Sequence, residues 1–141
     1  MTKKRILILC TGNTCRSQMA EGILKHLDSK LEVHSAGTRA EHKVNPYAVK
    51  VMAEVDIDIS EQQPKSVDLF IEQAFDFVIT VCDGAKEICP IFTGEVKHRI
   101  HQGFEDPANA SGTEEETLKV YRKVRDEIIN YFTNFQTTIN Q

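Results

Sequence analysis

The stretch Cys10-Thr11-Gly12-Asn13-Thr14-Cys15-Arg16-Ser17 sets a thiol, five small or turn-forming residues, and then a guanidinium. That order suits attack on a tetrahedral oxyanion. Backbone N–H groups of a tight loop, closing onto a helix N-terminus, converge on an anion and add a favourable dipole. Gly12 and Asn13 tolerate unusual φ values. Arg16 can clasp two oxygens at once, and its charge is expected to lower the pKa of Cys10 and keep it as a nucleophilic thiolate. Ser17 is placed to donate a hydrogen bond to that sulfur. The loop as a whole, Thr11, Gly12, Asn13, Thr14, Cys15 and Arg16, is the candidate oxyanion site. Cys15 has no partner assigned by sequence, so packing or backbone donation is its simpler role.

Two further thiols, Cys82 and Cys89, have six residues between them: Asp83-Gly84-Ala85-Lys86-Glu87-Ile88. If that segment is helical, the two Cα atoms stand roughly 10.5 Å apart, whereas a disulfide needs about 4.4–6.8 Å. A bond between them therefore requires the segment to rearrange, with Gly84 easing the change. The alternatives are two inert buried thiols or half a metal site completed by His98 and His101. Zinc sites, however, space their cysteines more tightly. Asp106-Pro107 supplies a carboxyl suited to general acid catalysis, although an Asp-Pro alone is usually a turn.

These groups need a scaffold. Arg5 to Leu9 is a near-continuous apolar run, the pattern of a strand buried on both faces. Met19, Ala20, Ile23, Leu24 and Leu27 then recur at helical spacing, predicting an amphipathic helix from Ser17 to Leu27. Leu31 to Ser35 reads as a second strand. Asn45-Pro46 opens a helix carrying Ala48, Val51, Met52 and Val55 inward. Ser66 to Ala74 is expected to be helical, Phe75 to Val81 a third strand, and Val96 to Ile100 a weaker fourth. Thr113 with Glu116 forms a capping box ahead of a last helix whose apolar face is Leu118, Tyr121, Val124, Ile128, Phe132 and Phe135. Strands alternating with helices imply an α/β fold with a parallel sheet, and such sheets bind ligands at the carboxyl ends of their strands. Cys10 and Cys82 both fall at such ends.

The whole chain of 141 residues suits one domain. A net charge of −4 with scattered basic residues argues against nucleic acid. The opening apolar run is too short for a signal peptide core or a membrane span, so the cytoplasm is the expected location and the cysteines are expected to stay reduced. A monomer is expected.

Cys-x5-Arg-Ser opening such a fold resembles the low-molecular-weight tyrosine phosphatases and the arsenate reductases related to them. The resemblance implies a single-domain flavodoxin-like fold, a four-stranded parallel sheet of order 2-1-3-4 with helices on both faces. Asp106 within Gly103-Phe104-Glu105-Asp106-Pro107-Ala108 matches the general acid of both groups. Cys82 to Cys89, together with Ser17-Gln18-Met19-Ala20-Glu21-Gly22, Ser35-Ala36-Gly37 and Val124-Arg125-Asp126-Glu127-Ile128, is similar to thioredoxin-coupled arsenate reductases over nearly the whole chain.

That likeness implies a relay in which Cys10 bonds arsenate, a transient Cys10–Cys82 disulfide releases arsenite, and a Cys82–Cys89 disulfide remains for thioredoxin to reset. Glutaredoxin with glutathione is the alternative reductant, and a weak phosphatase side activity is a further expectation. No tightly bound cofactor or metal is implied. Some relatives hold a monovalent cation at positions matching Asn13, Glu21 and Ser35, with an acidic residue near position 65. This sequence has Lys65, whose ammonium is expected to replace potassium beside Glu21, while Ser66 and Asp68 equally suit a plain helix start. Two rival readings are a phosphatase and a phosphocarrier whose Cys10 is modified by a partner. The first lacks an aromatic wall after Asp106-Pro107, where Ala108-Asn109-Ala110 stands, and neither explains Cys82 and Cys89.

Overall fold

The computed structural model describes residues 3–82 and 92–140. Four strands, β1 (Arg5–Cys10), β2 (Glu32–Gly37), β3 (Phe75–Thr80) and β4 (Val96–His101), form one sheet in the order β2-β1-β3-β4, with every pair parallel. β1 lies at the centre. Ile6, Leu7, Ile8 and Leu9 are all fully buried, as a strand covered on both faces requires. Adjacent residues on β2 show the two faces. Ser35 bonds Glu21 of helix α1 (Arg16–Leu27), while His34 meets the Phe70 ring on the opposite side.

Helix α1 and the final helix α3 (Glu114–Ile139) pack together, and α2 (Pro46–Ala53) packs on α3. The capping box forms as the sequence indicates, with the Thr113 hydroxyl accepting from the Glu116 N–H and the Glu116 carboxylate accepting from the Thr113 N–H. All six residues of the expected apolar face of α3 are buried. Asn45 caps α2 through its side-chain oxygen, and Pro46 fills the first helical position. Helix α1 departs from the amphipathic expectation. Every residue from Ser17 to Leu24 is buried, so its first two turns are enclosed all round and their polar groups must be satisfied inside the protein.

The helix expected over Ser66 to Ala74 is absent. A single 3-10 turn, Val67–Leu69, is followed by successive tight turns. Its carbonyls are committed elsewhere: Ile71 accepts from Thr93 and Gly94. Ser66 bridges to Gly37 in extended form, which holds the start of the segment out of the helical region. Val67 and Phe70 thereby cover the sheet face that α1 and α3 leave open.

Candidate active site

Cys10 is the last residue of β1, and Cys82 follows β3 by two residues, Val81 still donating to the Leu9 carbonyl at 2.9 Å. Neighbouring strand ends thus bring the two sulfurs together. Both side chains are buried, the two thiols interact, and the Thr11 hydroxyl lies 3.4 Å from the Cys82 sulfur. Cys89 and Gly84, with the expected rearrangement of 83–88, lie outside the described residues.

The loop after Cys10 owes its shape to its carbonyls. All six from Cys10 to Cys15 accept hydrogen bonds from groups outside the cradle. Thr38, Arg39, Glu41 and Asn45 donate their backbone N–H groups to Cys10, Thr11, Gly12 and Thr14 at 3.2, 2.9, 3.0 and 2.8 Å. The Gln18 side chain and the Met19 N–H serve Asn13 and Cys15. A peptide's N–H points opposite its C=O, so turning the carbonyls outward turns the amides inward. Among the described residues, no N–H of Gly12, Asn13, Thr14 or Cys15 donates to a protein acceptor. These donors surround the positive end of α1, whose first turn carries no acidic residue.

Asn13 is the pivot. Its φ of 57° lies in the left-handed region that Asn tolerates and most residues do not. Its side-chain nitrogen donates to Ser17 Oγ at 2.7 Å and Ser35 Oγ at 3.0 Å, and its oxygen accepts from Gln18 Nε2 and the Lys65 N–H. Gly12, expected to need similar freedom, is not left-handed. Gly37 is needed for close approach, since a Cβ there would fall 2.4 Å from the Thr11 carbonyl. Ser17 is buried and accepts from Asn13, and no hydrogen bond joins it to Cys10.

Arg16 spans the site. Its Nη1 donates to the Phe104 carbonyl at 3.0 Å and its Nη2 lies 3.4 Å from Asp106 Oδ2, while its buried Nε has no partner among the described residues. Asp106 also caps the short turn Pro107–Asn109 by accepting from the Ala108 N–H. The loop bearing Phe104 and Asp106 is laced to β3 through Gln102 and Phe104, which donate to Thr80 and Val81.

The expected lowering of the Cys10 pKa is reversed here. The neighbouring Cys82 thiol and burial push the Cys10 thiol up, against the pull of Arg16 and of the Thr11 N–H. Burial and nearby Asp106 push Cys15 up to about 12.

Several contributors escaped the sequence reading. Gln18 is fully buried and its amide donates to Asn13 and to the Gln63 carbonyl. Asn45 joins the cradle, α2 and the Tyr121 hydroxyl of α3. The one available signal was a polar residue, Gln18, inside a helix that the apolar spacing treats as half exposed. Beside the cradle, Glu21 is buried, accepts from Ser35 at 2.6 Å, and lies 2.7 Å from Lys25 and 3.6 Å from Lys65. His98 stacks on Phe77 and His101 pairs with the Thr80 hydroxyl. Among the described residues no cluster of His, Cys, Asp or Glu is arranged for a metal ion, and no helix is long and apolar enough to cross a membrane.

Residues 5–141 match the model of the low molecular weight phosphotyrosine protein phosphatase family. The chain is 51% identical over 139 residues to an arsenate reductase of Halalkalibacterium halodurans, covering 98% of this chain and 99% of that protein. It is 50% identical to an arsenate reductase of Bacillus subtilis strain 168 with the same coverage. A solved arsenate reductase in its oxidized state superposes with a TM-score of 0.81 at 33% identity, over 96% of this chain and 98% of that one.

Proposed function

The chain belongs to the low molecular weight phosphotyrosine protein phosphatase family, and we propose that it reduces arsenate to arsenite through a relay of three cysteines. The observation that carries this reading is a second buried thiol, Cys82, on the neighbouring strand end beside Cys10 and near enough to raise its pKa. Phosphoester hydrolysis has no use for a second thiol there. Reduction of a thiol-bound oxyanion requires one.

In the proposed sequence the Cys10 thiolate attacks arsenic(V), and Asp106 protonates the departing oxygen, which leaves as water. The inward amides and Arg16 hold the remaining oxygens. The Cys82 thiolate then attacks the Cys10 sulfur. The S–As bond breaks with its electron pair kept by arsenic, which departs as arsenite, and a Cys10–Cys82 disulfide forms. Arsenic gains two electrons and each sulfur gives one. Cys89 attacks Cys82 in turn, freeing Cys10 and leaving the Cys82–Cys89 disulfide, and a dithiol of the thioredoxin class restores it.

Thr11 supports the second step by holding the Cys82 sulfur beside its target. Lys65, near Glu21, is proposed to stand where relatives hold a monovalent cation, a tethered charge that needs no potassium. Glutathione with glutaredoxin would satisfy the same electron balance as thioredoxin and is the other reductant to assay. A cytoplasmic monomer is the setting this chemistry suits.

Arsenate-dependent oxidation of NADPH through thioredoxin and its reductase tests the proposal, with Cys10→Ser, Cys82→Ser and Cys89→Ser each expected to abolish turnover. Arsenate added to the Cys89→Ser protein should leave a Cys10–Cys82 linkage in the peptide map. Free thiols throughout, with an aryl phosphate hydrolysed as fast by Cys89→Ser as by the unaltered protein, would establish a phosphatase instead.

A further inference from the structure

Beside the cradle stands a carboxylate that its chemistry does not call for. Residues 38–41 run along the loop, Thr38, Arg39 and Glu41 donating to the carbonyls of Cys10, Thr11 and Gly12. The backbone of Glu41 is therefore fixed against Gly12. Gly12 is not left-handed, so its backbone does not demand a glycine. What fills the space of the missing side chain is Glu41: a Cβ at position 12 would lie 3.0 Å from its Oε2 and 3.5 Å from its Cδ and Cγ. Glu41 is exposed, and among the described residues it forms no ion pair. An unneutralised negative charge thus sits within contact of a residue whose N–H points at the anion.

We propose that Glu41 is a specificity-determining residue of the cradle, favouring free oxyanions over organic phosphate monoesters. This rests on the oxyanion-binding reading of the Cys10 loop. Three oxygens of a tetrahedral anion fit the inward donors, and the fourth points past the rim. In free arsenate or phosphate near neutral pH, at least one oxygen carries a proton, and Glu41 accepts a hydrogen bond from that O–H. A phosphomonoester dianion has no O–H and brings an organic group to the same place. It meets the carboxylate with repulsion and nothing to offset it. A site built to bond a hydroxyl rejects the analogue that lacks one.

Calorimetric titration of the full-length protein at pH 8.5 tests this, with inorganic phosphate, which keeps an O–H there, and with phenylphosphonate, which is then a dianion without one and is not hydrolysed. In Glu41→Ala and Glu41→Gln the preference for phosphate over phenylphosphonate should fall by about fivefold or more. A preference unchanged in both variants, whatever happens to each affinity, overturns the role of Glu41. If the unaltered protein binds neither ligand, it is the oxyanion reading of the loop that fails, and this inference with it.

Discussion

The thiols of Cys10 and Cys82 adjoin each other at the carboxyl ends of β1 and β3, and the Cys82 thiol does more than burial to push the Cys10 thiol up. Two adjoining buried thiols ionise in turn, not together. Replacing Cys82 by Ala removes the larger of the raising influences and leaves the pull of Arg16 intact. Cys10 should then form its thiolate at lower pH, read by the ultraviolet absorbance of the thiolate and by the pH dependence of alkylation at Cys10. An unshifted titration would mean that the contact has no electrostatic weight.

Asn13 combines a left-handed backbone with a side chain bonded to Ser17, Ser35, Gln18 and the Lys65 N–H. Asn13→Ala loses both features and should cost about 3 kcal/mol in urea unfolding, together with most affinity for phosphate. Asn13→Gly keeps the backbone freedom and should recover about 1 kcal/mol of that loss without recovering the affinity. Equal stability of the two variants would show that the φ value carries no cost.

Lys65 approaches Glu21 to 3.6 Å, beside Ser35 and Asn13. Turnover should therefore be the same in potassium and sodium chloride at matched ionic strength. Lys65→Asp, which sets two carboxyls beside each other, should gain a severalfold stimulation by potassium. Strong potassium activation of the unaltered protein would remove the tethered-charge idea.

Cys15 titrates near 12 in the folded protein, against an ordinary value of 9.0, because burial and Asp106 disfavour its charged form. Its folded pKa is raised, so its contribution to stability is complete below pH 9.0 and is lost as pH rises toward 12. Between pH 8 and pH 10.5 this one group should remove about 2 kcal/mol. Urea unfolding at the two pH values should show a smaller loss for Cys15→Ala than for the unaltered chain. Parallel losses would place the alkaline sensitivity elsewhere.

The strands were legible because β1 and β3 are apolar enough to announce burial on both faces, and their C-terminal ends fall beside the cysteines. The Cys10 loop was legible because a nucleophile and a guanidinium at that spacing have few other uses. What holds the loop was not. Thr38, Arg39, Glu41 and Asn45 act through backbone N–H groups, which every residue but proline possesses, so composition carries no trace of them. Gln18 was hidden for a related reason: hydrophobic spacing marks polar positions as solvent-facing, and here the first turns of α1 are enclosed. The segment after Ser66 carries helix-compatible residues, yet the claims of Thr93 and Gly94 on the Ile71 carbonyl come from more than twenty residues away in sequence. Hydrogen bonds of that reach lie outside any local pattern.

Arg16 spends one nitrogen on the Phe104 carbonyl and leans another toward Asp106. An entering anion competes with Asp106 for that second nitrogen. In the proposed reaction, loading the loop and unclasping Asp106 are thus opposite ends of one exchange, and the carboxyl would be freed to handle a proton as an oxygen arrives to receive it. Timing of this kind needs no lid or hinge. One nitrogen of Arg16, turned to the carboxylate or to the anion, supplies it.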